Sequence, residues 1–88
     1  MKVTYREHEE YKWHDLLYTK GSIVNSLVAM EIAQGLRMMG SYPYGEVTFD
    51  IKIERDGFPD CHYCVMTSID AEAVTKFVSA EIIPLPEH

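Results

Sequence analysis

Two cysteines three residues apart form the most motif-like string in this 88-residue chain. Cys61 and Cys64 enclose His62 and Tyr63, and a Cys-x-x-Cys pair can be half of a structural zinc site or a redox-active dithiol. The flanking residues predict a strand, however, and residues three apart on a strand point to opposite faces. We therefore expect Cys61 inside and Cys64 outside, with neither a shared metal ion nor a disulfide between them.

A second group of residues combines a carboxylate, an imidazole and a thiol. Asp50, His62 and Cys64 have the functional groups of an acid-base or nucleophilic site. Such trios also arise on solvated sheet faces, and the sequence has no glycine-rich phosphate loop and no sign of an oxyanion hole. We expect a cross-strand pair on a polar sheet face, without catalysis, metal or cofactor.

The clearest strand pair of the sequence positions these residues. From Glu46 to Arg55, apolar and polar residues alternate, which predicts one core face and one solvent face. Asp56-Gly57 indicates a reversal, and residues 61–69 form the returning strand.

A three-residue loop over 55–57, with Gly57 in the left-handed conformation, fixes the expected register of this hairpin. The core-face pairs are then Ile53–Pro59, Ile51–Cys61, Phe49–Tyr63 and Val47–Val65. The polar-face pairs are Lys52–Asp60 and Asp50–His62. A shift by one residue would place His62 against an isoleucine, so we favour this register.

The longest helical segment runs from Ile23 to Met39. Ser22 is a suitable N-cap, and Gly40 can end the helix in the left-handed conformation. One side carries apolar residues at the spacing of an amphipathic helix, namely Ile23, Leu27, Met30 and Met38. Further apolar residues extend the surface around the helix: Val24, Val28, Ile32, Leu36 and Met39.

A helix that is apolar on most sides needs cover on more than one side. One sheet covers one side, so the rest is covered either by the N-terminal segment or by another chain, since large exposed apolar patches mark interfaces. A chain of this length buries only roughly 60–65% of its unfolded surface, and oligomerisation would add stability. The expected interface residues are Val24, Val28, Ile32 and Met39.

The N-terminal segment places aromatic and β-branched residues at odd positions, with an acidic stretch between them. This pattern predicts two short strands, roughly 2–6 and 10–15. A helical turn over 9–18 fits equally, because Trp13, Leu16 and Leu17 also satisfy helical spacing. Aromatic rings here and after the helix could stack on a ligand, although such tyrosines more often pack at the edge of a core. These candidate contacts are Tyr11, Trp13, Tyr42 and Tyr44.

The C-terminal segment allows two interpretations. Asp70 could cap a full helix, which would give a ferredoxin-like βαββαβ arrangement. We favour a short helical turn followed by a strand over about 76–83. The predicted fold is then one α+β domain over residues 1–88, with an antiparallel sheet of three to five strands and one long helix packed across one face.

Charge limits the range of functions. Fourteen acidic against eight basic residues give a net charge of −6, and the basic residues are dispersed. Direct binding to nucleic acid, which needs a basic stripe, is not expected. The N-terminus has no long apolar run, so neither a signal peptide nor a transmembrane helix is expected, and a cytoplasmic location with reduced thiols follows.

We therefore expect a non-enzymatic protein-interaction module, or a small acidic regulator or inhibitor of another protein, that acts as a homo-oligomer. Three alternatives stay open, one of which is an enzyme built around Asp50, His62 and Cys64. The aromatic residues could bind or sequester a small ligand of the nucleotide type at a subunit boundary. The acidic surface could instead imitate nucleic acid and occupy a basic groove.

Overall fold

The computed structural model describes residues 1–18, 23–40, 45–70 and 78–83. In these ranges one helix packs against a five-stranded antiparallel sheet, which confirms the predicted α+β fold. No helix in the described part of the chain is long and apolar enough to cross a membrane. The elements in chain order are β1 (Lys2–Glu7), β2 (His14–Leu16), α1 (Ser26–Met39), β3 (Gly45–Glu54), β4 (Cys61–Ile69) and β5 (Val78–Ile83).

The sheet has the strand order β2-β1-β3-β4-β5. The N-terminal segment forms the predicted pair of strands, which extends the sheet beside β3, although β2 covers only the end of the range expected for it. Glu9 turns the chain between these strands with a φ of 70°. The predicted C-terminal strand is also present as β5, whereas the helical turn expected before it lies outside the described residues.

The β3–β4 register differs by two residues from the predicted one. Ile53 pairs with Cys61, Lys52 with His62, and Asp50 with Cys64. Every side chain keeps its predicted face, because a shift of two residues preserves the alternation. The predicted pairs Lys52–Asp60 and Asp50–His62 are therefore wrong, and Asp60 lies in the loop instead of in β4.

The longer loop has two visible causes. Pro59 has no N–H group to donate to the ladder, and strand pairing resumes only at Cys61. Gly57 takes the expected left-handed conformation with a φ of 80°, and the Phe58 N–H donates to the Arg55 carbonyl over 3.2 Å. The Arg55 guanidinium also stacks 4.3 Å from the centre of the Phe58 ring. These contacts stabilise a turn within residues 55–60.

The core lies between α1 and one face of the sheet, which we call the helix face. Large side chains of three strands are fully buried there, and the helix contributes four residues at the spacing i, i+3, i+4 and i+7. The strand residues are Val3, Phe49, Ile51, Ile53 and Val65. The helix residues are Ala29, Ile32, Ala33 and Leu36.

This packing differs from the amphipathic side predicted for the helix. Of the four residues on that side, Met30 is partly buried against the core, but Ile23, Leu27 and Met38 are 69%, 71% and 62% exposed. The buried stripe is centred on Ala29 and Ala33, which are both 0% exposed. The prediction relied on large side chains, whereas small alanines are what allow a helix backbone to approach a sheet closely.

The caps of α1 also differ from the prediction. Asn25 is the N-cap, and its side chain accepts a hydrogen bond from the Val28 N–H over 2.9 Å. The helix therefore begins at Ser26, and the predicted cap, Ser22, lies outside the described residues. Gly40 ends the helix as expected but with extended backbone, φ −88°, in place of the left-handed conformation.

One charged side chain is buried on the helix face. Arg37 is 0% exposed, and its guanidinium donates to the carbonyl and hydroxyl oxygens of Thr67 over 3.2 and 3.1 Å. It also donates to the Gly45 carbonyl over 2.9 Å. The Thr67 hydroxyl in turn donates to the Val47 carbonyl over 2.7 Å. Arg37 thereby joins the last turn of α1 to the start of β3 and to β4.

Candidate functional site

Four polar side chains meet on the face of the sheet opposite α1, which we call the distal face. Arg6 on β1, Asp50 on β3 and Cys64 on β4 occupy one row, because Arg6 pairs with Asp50 and Asp50 pairs with Cys64. His8 follows β1 and reaches the same carboxylate. We call Arg6, His8, Asp50 and Cys64 the Asp50 cluster.

The carboxylate of Asp50 is the centre of this cluster. Arg6 Nε lies 2.9 Å from Asp50 Oδ2, and His8 Nδ1 lies 2.9 Å from Asp50 Oδ1. The Cys64 sulfur lies beside this carboxylate, and the donor atoms of His8, Asp50 and Cys64 are within 4.8 Å of one another. The Asp50 side chain is 14% exposed and Cys64 is 4% exposed, while the His8 side chain is 51% exposed. A largely buried carboxylate and a buried thiol thus lie next to an accessible imidazole.

The cluster shifts the acidity of two groups in opposite directions. Burial opposes ionisation of Asp50, but hydrogen bonds and charges from His8 and Arg6 outweigh it and lower the pKa of Asp50 below its ordinary value. Burial raises the pKa of the Cys64 thiol, and the neighbouring Asp50 charge and hydrogen bond raise it further. In the absence of a bound cation, this environment favours a carboxylate beside a neutral thiol.

The candidate trio of Asp50, His62 and Cys64 is only partly brought together. Asp50 and Cys64 are neighbours, but His62 lies opposite Lys52 and is exposed, and His8 supplies the imidazole instead. This imidazole hydrogen-bonds the carboxylate, whereas a cysteine nucleophile needs a base or a cation that lowers the thiol pKa. The raised pKa of Cys64 is the opposite of that activation.

The two cysteines lie on opposite faces of β4, as their spacing predicted. Cys61 packs against the core on the helix face, and Cys64 belongs to the Asp50 cluster on the distal face. Both thiols are free. Their burial is the reverse of the expected one, because Cys61 is partly exposed and Cys64 is buried. Cys64, not Cys61, is therefore the enclosed thiol.

Three residues of the cluster have the donor atoms of a metal site. One ligand atom each from His8, Asp50 and Cys64 lie within 4.8 Å of one another. No spacing in the sequence indicates this group, because His8 is 42 positions from Asp50 and meets it only through the β1–β3 pairing. The sequence pattern indicated only that Asp50 and Cys64 lie on paired strands.

The candidate aromatic contacts have different surroundings. The side chain of Trp13 is partly buried, and the Arg6 guanidinium lies 4.6 Å from the centre of one of its rings. Tyr11 is 98% exposed. Tyr42 and Tyr44 lie outside the described residues. Ligand binding by these rings stays a prediction, and Trp13 already has a structural contact with the Asp50 cluster.

The candidate interface residues on α1 also differ in their exposure. Val24 and Val28 are partly buried, Ile32 is 4% exposed within the core, and Met39 is 78% exposed. The side chain of Ile32 is thus covered by the chain's own sheet. The protein nevertheless exposes several large apolar side chains, and most of them are not the predicted interface residues. It comprises Leu17, Ile23, Leu27, Met38 and Met39, which we call the apolar helix surface.

A groove runs beside this surface, between the end of β2 and α1. Its volume is about 270 Å³, and the two sides contribute mainly apolar side chains. Leu16, Leu17 and Tyr18 line the β2 side. Glu31, Ile32, Gly35, Leu36 and Met39 line the α1 side. The N-terminal segment therefore approaches one flank of the helix without covering its outer side.

Comparison of the chain with protein-family models, with curated proteins and with solved structures found no match.

Proposed function

We propose that this protein is a non-enzymatic protein-interaction module that self-associates through the apolar helix surface. The supporting observation is the exposure of five large apolar side chains on or beside one helix, between 62% and 90% in each case. Large exposed apolar patches are typical of interfaces. In this proposal the protein acts in the cytoplasm as a homo-oligomer.

The size of the surface is compatible with a reversible complex. Both copies bury this surface in a symmetric dimer. Burial of one large apolar side chain contributes about 1.5–3 kcal/mol, so the ten side chains of two copies contribute on the order of 20 kcal/mol if all are covered. Association costs about 4–15 kcal/mol of lost rigid-body freedom. A reversible dimer can therefore form even when part of the surface stays exposed.

The order of residues along α1 supports a second copy of the chain as the partner. Leu27 and Met38 lie about three helical turns apart and therefore on the same side of the helix. In an antiparallel helix pair around a two-fold axis, Leu27 of one copy would face Met38 of the other. Glu31 would face Gln34, whose amide donates to the Val78 carbonyl of its own chain over 3.0 Å and has a second N–H group for a carboxylate. The surface is thus complementary to itself.

The test is the mass of the protein in solution as a function of concentration, measured by size-exclusion chromatography with light scattering. We expect the wild-type chain to move from monomer to dimer, and Leu27→Glu to weaken the dimer more than tenfold. Tyr11→Glu is the matched control, because it adds the same charge at a side chain that is 98% exposed elsewhere. Its dimer should persist.

Each copy carries a net charge of −6, so added salt should strengthen the dimer by screening the repulsion between copies. A wild-type chain that stays monomeric at the highest concentrations would overturn the proposal. So would equal weakening of the dimer by the Tyr11 and Leu27 variants.

A further inference from the structure

The Asp50 cluster combines three different kinds of ligand atom in one enclosed place. We propose that it binds a zinc-class transition-metal ion through an imidazole nitrogen of His8, a carboxylate oxygen of Asp50 and the sulfur of Cys64. Nitrogen, oxygen and sulfur donors together suit Zn²⁺ and its substitute Co²⁺. Ca²⁺ and Mg²⁺ prefer oxygen ligands and do not fit this set.

Metal binding requires the three ligand atoms to move only slightly closer together. The ligand atoms lie within 4.8 Å of one another. Tetrahedral Zn²⁺, with bonds of about 2.0–2.3 Å, holds its ligand atoms roughly 3.3–3.8 Å apart. Asp50 and Cys64 are paired on the adjacent strands β3 and β4, so the sheet fixes these two ligands. His8 follows β1 next to the turn at Glu9, and its exposed imidazole can supply the remaining movement.

Arg6 can remain in place when the metal ion binds. Arg6 donates a hydrogen bond to Asp50 Oδ2, whereas His8 Nδ1 forms a hydrogen bond with Asp50 Oδ1. The ion would replace the His8–Asp50 hydrogen bond and take Oδ1, and Arg6 would continue to orient the carboxylate, as outer-sphere partners do in metal sites. Arg6 is itself held by the Glu10 carbonyl at 3.0 Å and by the Trp13 ring.

Binding of the ion replaces protons. The thiol of Cys64 loses its proton to solvent and becomes the thiolate ligand, because a coordinated thiol is deprotonated. Carboxylate, thiolate, the Arg6 guanidinium and a divalent ion then carry a total charge of +1, with a neutral imidazole. Three protein ligands leave one tetrahedral position for a water molecule, on the accessible side of His8.

The test is a titration of the reduced, chelator-treated full chain with Co²⁺, followed by absorption spectroscopy. We expect one Co²⁺ per chain, with visible bands of tetrahedral intensity and a near-ultraviolet sulfur-to-cobalt charge-transfer band. Zn²⁺ should abolish both by displacement. Cys64→Ser should remove the charge-transfer band, and His8→Gln should lower Co²⁺ affinity at least tenfold.

The chain provides matched controls for both ligands. Cys61→Ser removes the thiol on the opposite face of β4, and His62→Gln removes an exposed imidazole of the neighbouring row. Both variants should keep the spectrum and affinity of the wild type. The half-exposed position of His8 also makes its variant informative if Cys64→Ser fails to fold.

A thermal melt gives a second readout. Zn²⁺ should raise the melting temperature of the wild-type chain and leave that of His8→Gln nearly unchanged, since an ion stabilises the state that binds it. The absence of a charge-transfer band in the wild type would overturn the proposal. So would a band that depends on Cys61, or equal losses of affinity in the His8 and His62 variants.

Discussion

The two faces of the sheet hold an arginine in opposite ways. On the helix face, Arg37 is fully buried and donates to the neutral oxygens of Thr67 and Gly45. On the distal face, Arg6 is partly exposed, and it pairs with the Asp50 carboxylate and stacks on Trp13. The first arginine connects elements of the fold. The second orients a carboxylate and leaves one of its oxygens to other partners, so the proposed metal site lies on the distal face.

The largest expected effect tests whether the helix face carries the stability. Phe49→Ala should reduce the free energy of unfolding by about 3–5 kcal/mol, because the ring is 0% exposed and its loss leaves a cavity. Thr48→Ala, the next residue but on the distal face, should change it by no more than about 0.5 kcal/mol. Urea denaturation of both variants measures the difference. Equal losses would contradict the division between the faces.

The next effect concerns the buried arginine. Arg37→Met keeps most of the side-chain volume but leaves the Thr67 and Gly45 oxygens without this donor, and we expect a loss of about 2–3 kcal/mol. Arg37→Lys should recover little of it, because an ammonium group cannot reproduce the fork that spans both residues. Urea denaturation is again the measurement. Full recovery by lysine would show that charge alone is needed there.

The smallest effect concerns the distal arginine. Arg6→Met should cost about 1 kcal/mol in metal-free protein at neutral pH, because the ion pair is partly exposed and its value is reduced by solvent. The pH dependence sharpens this prediction. The folded pKa of Asp50 is lowered, so its contribution is complete above the unfolded value of about 3.9 and disappears as the pH falls through the folded one.

Arg6→Met should therefore flatten the loss of stability below about pH 4, measured by denaturation across that range in the presence of a chelator. Lys2→Met is the control, since its contact with Glu54 is 4.0 Å long and Lys2 is 66% exposed. If Lys2→Met had the same pH profile as Arg6→Met, protonation of Asp50 would not account for the loss of stability at low pH.

The sequence predicted the sheet faces better than it predicted the partners across them. Alternation in β3 and β4 assigned every side chain to its face, because a period of two is a local property. The register depended on how far the loop continues, and the contacts among Arg55, Phe58 and Gly57 that extend it are not visible in a polarity pattern. The same error placed His62 opposite Asp50, whereas the structure has Cys64 there.

The helix face and the candidate site show where local patterns are insufficient. Large residues such as Leu27 and Met38 suggested the wrong buried stripe, because the space between helix and sheet selects for Ala29 and Ala33. His8 joins Asp50 through strands separated by the whole of α1, so no spacing in the sequence indicates the contact. The helix has exposed apolar residues as its composition indicates, but of the four residues expected to form the interface only Met39 is largely exposed.

The pairing of β1 with β3 has a consequence for how the protein folds. β3, β4 and β5 follow one another as neighbours in the sheet, whereas β1 pairs with β3 across the segment that contains β2 and α1. Closure of that long segment has a larger entropic cost, so we expect the N-terminal hairpin to join after the meander has formed. His8 and Arg6 would then reach Asp50 in the last step, and the Asp50 cluster would report on completion of the fold.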